Sequence, residues 1–500
     1  MLKKITIWFL AVLLALSCLS GCSKPETRVV ILYTNDVHCS IEAYADLAAY
    51  AAELKARGET VLVADGGDFS QGSALCKIDE GASIIQLMNA VGYDFAVPGN
   101  HDYQYGMEAL QRNVDAAEFS FLTCEEAEFP HEDFYMMEFG GHRAAFVGIE
   151  CCEGRELPLD AVQRAVDAAR EQGAEVVFAV GHTGAQTEPL IAGTRGIDIY
   201  LNAHDHVLSD MGENTLSYPN AEGQSIPVYQ TGSKMKYIGR IDLTIGENGF
   251  SHAVRMIAPD ALMAELGNTL SPEAAKAKEA VEQAIADCEK NAEVLNVVIG
   301  TSECTLQVYD PVGFPECVEK NYKEYNSGDF MADAYRAVAG ADVAMVNRSD
   351  ITVRIDEGPV TELALCTAVP WLEDAYVIEL TGSQIMEILE QDTKNWPEYT
   401  SAEPAVSGMT FCVDTSIAFG QPGRVCDVMI GDAPLELEKP YTVAGNYYYL
   451  FNANGLDASQ GSVIGLDVEV LETYIVDHLG GVIPASLYGD PAGDGRVAMK

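Results

Sequence analysis

Residues 29–38 read Val29-Val30-Ile31-Leu32-Tyr33-Thr34-Asn35-Asp36-Val37-His38. A run of strand-forming residues stops on an acid and an imidazole, which places two reactive side chains directly after a strand. The arrangement recurs along the chain. The strand expected over 60–64 runs into Asp65-Gly66-Gly67-Asp68, where glycine permits a tight turn close to a ligand. Pro98-Gly99-Asn100-His101-Asp102 sets three polar side chains together at a turn, without a packing rationale. Strands expected over 176–180 and 197–201 run into Gly181-His182 and Asn202-Ala203-His204-Asp205-His206. A further strand is expected over 144–149, and apolar residues at helical spacing predict helices over 82–91 and 160–171. Strands alternating with helices are the α/β signature, and open α/β sheets bind ligands at the carboxyl edge of their strands. Five of the nine histidines (38, 101, 182, 204 and 206) fall at that edge, nearly every one beside Asp or Asn. Histidines that merely satisfied turns would not share this placement.

Five hundred residues exceed one ordinary core, and 48% apolar residues suffice for a sizeable one. Thirty Lys+Arg against 76 Asp+Glu leave a net charge of −46 with no basic run, which disfavours polymeric nucleic acid as a partner. A small anion could bind only where a strong local positive charge is supplied, since distant charges are screened beyond about 8 Å.

Lys3 and Lys4 precede an apolar stretch over 5–16 and then Leu19-Ser20-Gly21-Cys22. The apolar stretch is too short to span a bilayer but suits a signal-peptide core, and the ending resembles a bacterial lipobox. The expectation is a signal peptide over 1–21, lipid on Cys22, a tether over 22–28, and an extracytoplasmic protein held to the bacterial cell membrane by its lipid. Thirteen cysteines less Cys18 and Cys22 leave eleven, without CxxC pairs, so no zinc ribbon or complete disulfide framework is expected. The odd number implies a free thiol and points weakly to a reducing setting.

Ser271-Pro272-Glu273 opens a polar, alanine-rich stretch to about Ala292, with Ser as N-cap and Pro in the first turn. It reads as a mostly solvated helix in a linker over 259–293, between one domain over 29–258 and another over 294–500. In the latter, strands are expected over 344–347, 375–380 and 441–444, with helices near 331–338 and 383–391.

The five blocks resemble those of the calcineurin-like metallophosphoesterases: D-x-H, G-D, G-N-H-D/E, a strand-terminal His and G-H-x-H, with Ala203 in place of the last block's Gly. More narrowly, the chain resembles the 5′-nucleotidase family. The resemblance implies a four-layer αββα sandwich followed by a separate α+β C-terminal substrate-binding domain. It implies that Asp36, His38, Asp68 and His206 hold one divalent metal while Asp68, Asn100, His182 and His204 hold the other. The chemistry of the set agrees: imidazole, carboxylate and amide oxygen suit Zn²⁺, Mn²⁺, Fe²⁺ or Co²⁺ better than Ca²⁺ or a structural zinc. Two divalent ions less two carboxylates leave about +2, the local charge an anionic substrate needs. The mechanism expected is in-line attack on phosphorus by water activated between the metals. In it His101 donates to the developing charge or the leaving oxygen, and Asp102 orients its ring.

Matches to the family's C-terminal domain include Glu324-Tyr325-Asn326, Ala341-Asp342-Val343-Ala344 with Asn347, Pro370-Trp371 and the run from Phe451 to Asp457. By position, Trp371 and Phe451 would sandwich a base, Asp457 would bind ribose, and Asn347 would join them in substrate binding. Three arginines of the family pattern are replaced, one by Thr352 and two upstream by Asn321 and Lys323, and Thr does not replace a guanidinium fork. Arg348 or Arg354 could serve only from a shifted position. The function expected is release of phosphate from nucleoside 5′-monophosphates or related nucleotide phosphoesters. The alternatives are the same chemistry on cyclic nucleotides, nucleotide sugars or a non-nucleotide phosphate ester, and a non-catalytic ligand-binding lipoprotein.

Overall fold

The computed structural model describes residues 25–150, 156–209, 215–267, 269–320, 323–398 and 403–500. Cys22, Cys151, Cys152 and Asn321 lie outside the described residues. Two compact units emerge. One holds the described residues up to Gln71 together with Ile78–Glu289, and the other holds Gly72–Lys77 with Lys290–Lys500.

Twelve strands build the first unit: β1 Thr27–Thr34, β2 Thr60–Asp65, β3 Phe95–Ala96, β4 Ser120–Phe121, β5 Phe134–Phe139, β6 His142–Ile149, β7 Val176–Gly181, β8 Ile199–Asn202, β9 Ser217–Pro219, β10 Ser225–Tyr229, β11 Ile238–Gly246 and β12 Gly249–Ile257. They form two six-stranded sheets, ordered β12-β11-β1-β2-β3-β4 and β5-β6-β7-β8-β10-β9. β1 to β4 run parallel, as do β6, β7 and β8, so each sheet turns one carboxyl edge toward its loops. Val29, Ile31, Phe95, Phe146, Val176, Phe178, Val180 and Ile241 share one core between the sheets. The intervening residues Val177 and Ala179 of β7 pack on the outer side with Val162, Ala165 and Val166 of the helix Leu159–Glu171. β7 is buried on both faces, and its period-two alternation divides its side chains between two cores. With the helix Tyr44–Ala56 packed against β2 and the helix Ala82–Val91, the layers are helix, sheet, sheet, helix.

The helix Pro272–Ala292 starts where Ser271 predicts, with Ser271 Oγ accepting from Ala274 N at 3.2 Å. It is less solvated than its composition suggests. Ala274, Val281 and Cys288 are buried on one stripe, and Ser271 N and Lys278 Nζ bond Glu53 and Asp46. Short residues bury a stripe with little bulk, which a reading tuned to large apolar side chains passes over. In the second unit a five-stranded sheet is ordered Pro404–Ser407, Val343–Asn347, Pro440–Asn446, Asp374–Thr381, Ser462–Leu466. Its core includes Met345, Ile378, Leu380, Val443 and Phe451. Cys39 and Cys76 each take part in a disulfide, while seven other described cysteines are free.

Candidate active site

The loops after β1, β2, β3, β7 and β8 deliver side chains to one place. Asp36, His38 and His206 present ligand atoms within 4.8 Å of one another, and so do Asp68, His182 and His204. His206 Nε2 lies 2.9 Å from His38 Nε2 and 3.6 Å from Asp36 Oδ1. His182 Nε2 lies 3.0 Å, and His38 Nε2 4.0 Å, from Asp68 Oδ2, which puts Asp68 between the two groups. Asn100 Oδ1 approaches His204 Nδ1 at 2.9 Å. All seven expected ligands therefore converge.

Backbone carbonyls set the imidazole tautomers. His38 Nδ1 faces the Gln71 carbonyl at 3.0 Å and His182 Nδ1 faces the Gly66 carbonyl at 2.9 Å. A carbonyl only accepts, so each Nδ1 carries a proton and each Nε2 is the nitrogen turned into the site. There His38 Nε2 meets a second imidazole nitrogen, and His182 Nε2 meets a carboxylate oxygen. At such distances each pair must share a proton, or hold a metal in its place.

The backbone is strained to achieve this. Asp36 (φ 49°), His38 (47°), Asp68 (59°), His204 (86°) and His206 (57°) all occupy the left-handed region, which non-glycine residues seldom adopt. Strain of this kind is held at functional sites by surrounding bonds. Asn35 supplies several of them: its Nδ2 donates to Asp36 Oδ2 at 2.6 Å and to the Gly232 carbonyl at 2.8 Å, and its Oδ1 accepts from Thr231 N at 2.8 Å. His204 N donates to the Asp36 carboxylate at 3.0 Å. Gly67 (φ 101°) is required, because a Cβ there would lie 2.7 Å from Gly99 N and 2.8 Å from His182 Nδ1.

Electrostatics sorts the imidazoles. Burial lowers His38, and it lowers His204 and His206 to about 4, with neighbouring imidazoles adding to the effect, so these rings are neutral at pH 7. Burial also pulls on His182, but Asp68 at 3.0 Å and Asp36 outweigh it and raise His182 to about 10. Burial, with the Asp68 charge adding to it, raises Asp36 to about 7.

The dyad differs from expectation. The Asp102 carboxylate does not orient His101; it accepts from the backbone N of Asp68 (2.9 Å), Phe69 (3.2 Å), Ser70 (2.9 Å) and Gly99 (2.8 Å), and from Ser70 Oγ (2.6 Å). The short helical turn Asn100–Tyr103 swings its side chain back under the Asp68 loop, away from the ring. Gln104 Oε1 lies 3.0 Å from His101 Nδ1 instead, and the His101 ring stands edge-on to His38 with centroids 5.2 Å apart. Asn35 had a signal in its place beside Asp36; Gln104 had none, because only the helical turn brings it round.

In the second unit the expected substrate residues are dispersed in role. Asn347 is buried, its amide donating to Asp350 Oδ1 at 3.0 Å and its oxygen capping Ser349 N. Asp457 is exposed and binds Ser459 N, Ser459 Oγ and Gln460 Nε2. Phe451 is a core residue packed against Tyr376 and Tyr447, at centroid distances of 4.9 and 5.4 Å, and Trp371 is half-buried. Neither alternative arginine stands in for Thr352: Arg348 is buried on Glu403 at 2.7 Å, and Arg354 pairs with Asp356 at 2.9 Å.

Known proteins decide the class. The family described as calcineurin-like phosphoesterase matches residues 29–208, and the 5′-nucleotidase C-terminal domain matches residues 298–460. The chain is 22% identical to the 5′-nucleotidase of Vibrio vulnificus, covering 92% of this chain and 94% of that one. The chain belongs to the metallophosphoesterases of 5′-nucleotidase type. This metallophosphoesterase is also 25% identical, over 88% of its length, to the trifunctional nucleotide phosphoesterase YfkN of Bacillus subtilis, of which it spans only 33%. Its fold matches the 5′-nucleotidase precursor of Thermus thermophilus with a TM-score of 0.69 at 20% identity, covering 94% of this chain and 99% of that one. It is a metal-dependent phosphoester hydrolase. No helix among its described residues is long and apolar enough to cross a membrane.

Proposed function

We propose that the chain is a two-metal hydrolase releasing phosphate from nucleoside 5′-monophosphates or related nucleotide phosphoesters. Asp36, His38, Asp68 and His206 would hold one cation, and Asp68, Asn100, His182 and His204 the other, with Zn²⁺, Mn²⁺, Co²⁺ or Fe²⁺ suited to the donors. The observation that carries this reading is the convergence of Asp36, His38 and His206, and of Asp68, His182 and His204, each set with its ligand atoms within 4.8 Å of one another. Divalent cations in such a site supply Lewis-acid polarisation of phosphoryl oxygens and a water acidic enough to attack at neutral pH. His101, half-buried beside His38, donates to charge building on the phosphoryl or leaving oxygen. Asp102 acts through the backbone by fixing the loop that carries Asp68.

The nucleotide part rests on the match of residues 298–460 and on the names of the relatives. Thr352 and the buried Arg348 favour, as a second reading, a phosphoester other than AMP. The domain limits proposed are 29–258, 259–293 and 294–500. Export and lipid attachment at Cys22 are part of the proposal; mass spectrometry of the membrane-extracted protein should find a diacylglyceryl-modified Cys22.

Phosphate release from AMP, UDP-glucose, cyclic AMP and an aryl phosphate is to be followed with metal-stripped protein reloaded in turn with Mn²⁺, Zn²⁺, Co²⁺ and Mg²⁺. Restored AMP turnover at two metals per chain is the expected result. Saturable AMP binding without phosphate release at any metal would establish a binding protein instead. Aryl-phosphatase activity without AMP turnover would show Thr352 to be decisive.

A further inference from the structure

We propose that Lys234 holds the anionic oxygens of the substrate beside the Asp36–His38–His206 half of the site. The inference rests on the phosphoester reading above and adds a binding residue to it.

The connection from β10 to β11 is laced onto that half. Thr231 N and Oγ1 donate to Asn35 Oδ1 at 2.8 and 2.7 Å, Gly232 N to the Val207 carbonyl at 3.0 Å, and Lys234 N to the Asp36 carbonyl at 2.8 Å. Lys234 is thus hydrogen-bonded by its own backbone to an expected metal ligand. Lys234 (φ 56°) and the buried Met235 (φ 48°) both sit in the left-handed region, an uncommon conformation for long side chains. The connection therefore keeps the same kind of strain as the ligand loops it touches, and strain is retained where the surroundings impose it.

Charge points the same way. In a chain of 76 acids and 30 Lys+Arg, a half-buried lysine whose backbone is bonded to Asp36 is a cation close to where an anion must approach; burial and Lys236 lower it from the ordinary lysine value, and the Glu42 carboxylate supports its charge. An ammonium offers three donors on a flexible stem and needs no planar fork, so it can follow a phosphoryl group as its geometry changes. Its contribution would offset part of what Thr352 and the buried Arg348 do not provide.

The test uses the full chain loaded with metal. Lys234→Gln, Lys234→Met, Lys234→Arg and, as a control, Lys236→Gln at the exposed neighbour are compared with the parent. Three quantities are measured: metal content by elemental analysis, inorganic phosphate binding by calorimetry, and kcat and KM on an aryl phosphate. A lost charge-assisted hydrogen bond predicts about 10- to 100-fold weaker phosphate binding, and a matching rise in KM, in Lys234→Gln and Lys234→Met. Metal content should stay at the parental level, Lys234→Arg should recover most of the affinity, and Lys236→Gln should be unchanged. Phosphate affinity unchanged in both neutral variants overturns the inference, and so does metal loss accompanying the weakened binding, which would make Lys234 architectural. A parent protein that binds neither metals nor phosphate would overturn the phosphoester reading itself and this inference with it.

Discussion

His182 Nε2 and Asp68 Oδ2 face each other at 3.0 Å, so metal and proton compete for one position. His182 rises from 6.5 to about 10 and Asp36 from 3.8 to about 7 when only protons are available. A raised folded pKa stabilises below the unfolded value, and that stability is lost as pH climbs through the folded value. His204 and His206, lowered to about 4, work in the opposite sense below pH 6.5, so the clean window lies above it. Metal-free protein should therefore lose thermal stability between pH 6.5 and 10, and metal should reduce the decline, leaving the part due to Asp329, which burial raises to about 9; calorimetric melts with and without chelator check both. Metal binding near pH 8 should release a proton, measurable as a buffer-dependent binding enthalpy. His101→Ala should keep both metals while kcat falls by about 10²- to 10⁴-fold, the usual contribution of a general acid. Normal turnover with intact metals would leave His101 as a scaffold for Asn100.

The expected ligands after β1, β2 and β8 sit on strained, cross-braced backbone, so a change that touches no ligand should damage the site. Asp102→Asn weakens bonds to three backbone N–H groups in the loop carrying Asp68 and to Gly99 N beside Asn100, and should cost about 10- to 100-fold in metal affinity, as removing outer support does elsewhere. Gly67→Ala should be harsher, since its Cβ has no room between Gly99 and His182 and φ 101° strains it further. Metal titration of both variants, folded by circular dichroism, decides the point. In the second unit Phe451→Ala should destabilise by about 3 kcal/mol or more, because the ring is core before it is platform. A Phe451 variant that lost substrate binding would therefore say little about base stacking unless its melting temperature were unchanged.

At the scale of the whole molecule, the net charge of −46 sets the long-range field. That field repels a dianionic substrate until it comes within a Debye length of the metals. Raising sodium chloride from 10 to 300 mM should increase kcat/KM for a phosphate dianion; a decrease would show that the cationic site already steers the approach. The strand-end blocks were readable without coordinates because alternating apolar runs announce parallel strands, and parallel strands carry ligands at one edge. Asp36, His38, Asp68, Asn100, His182, His204 and His206 were legible for that reason. What the linear order could not specify was everything acting through space: the carbonyls of Gly66 and Gln71 that choose the tautomers, the left-handed φ of five expected ligands, and the turn that sends Asp102 under the Asp68 loop rather than to His101. Likewise, Arg348 and Arg354 looked available as numbers in a chain, and folding committed them to Glu403 and Asp356. Residue types and their strand-end spacing are local properties and determined the class of chemistry. Hydrogen-bond direction, burial and ion pairing depend on segments far apart in sequence, and only the tertiary structure decided them.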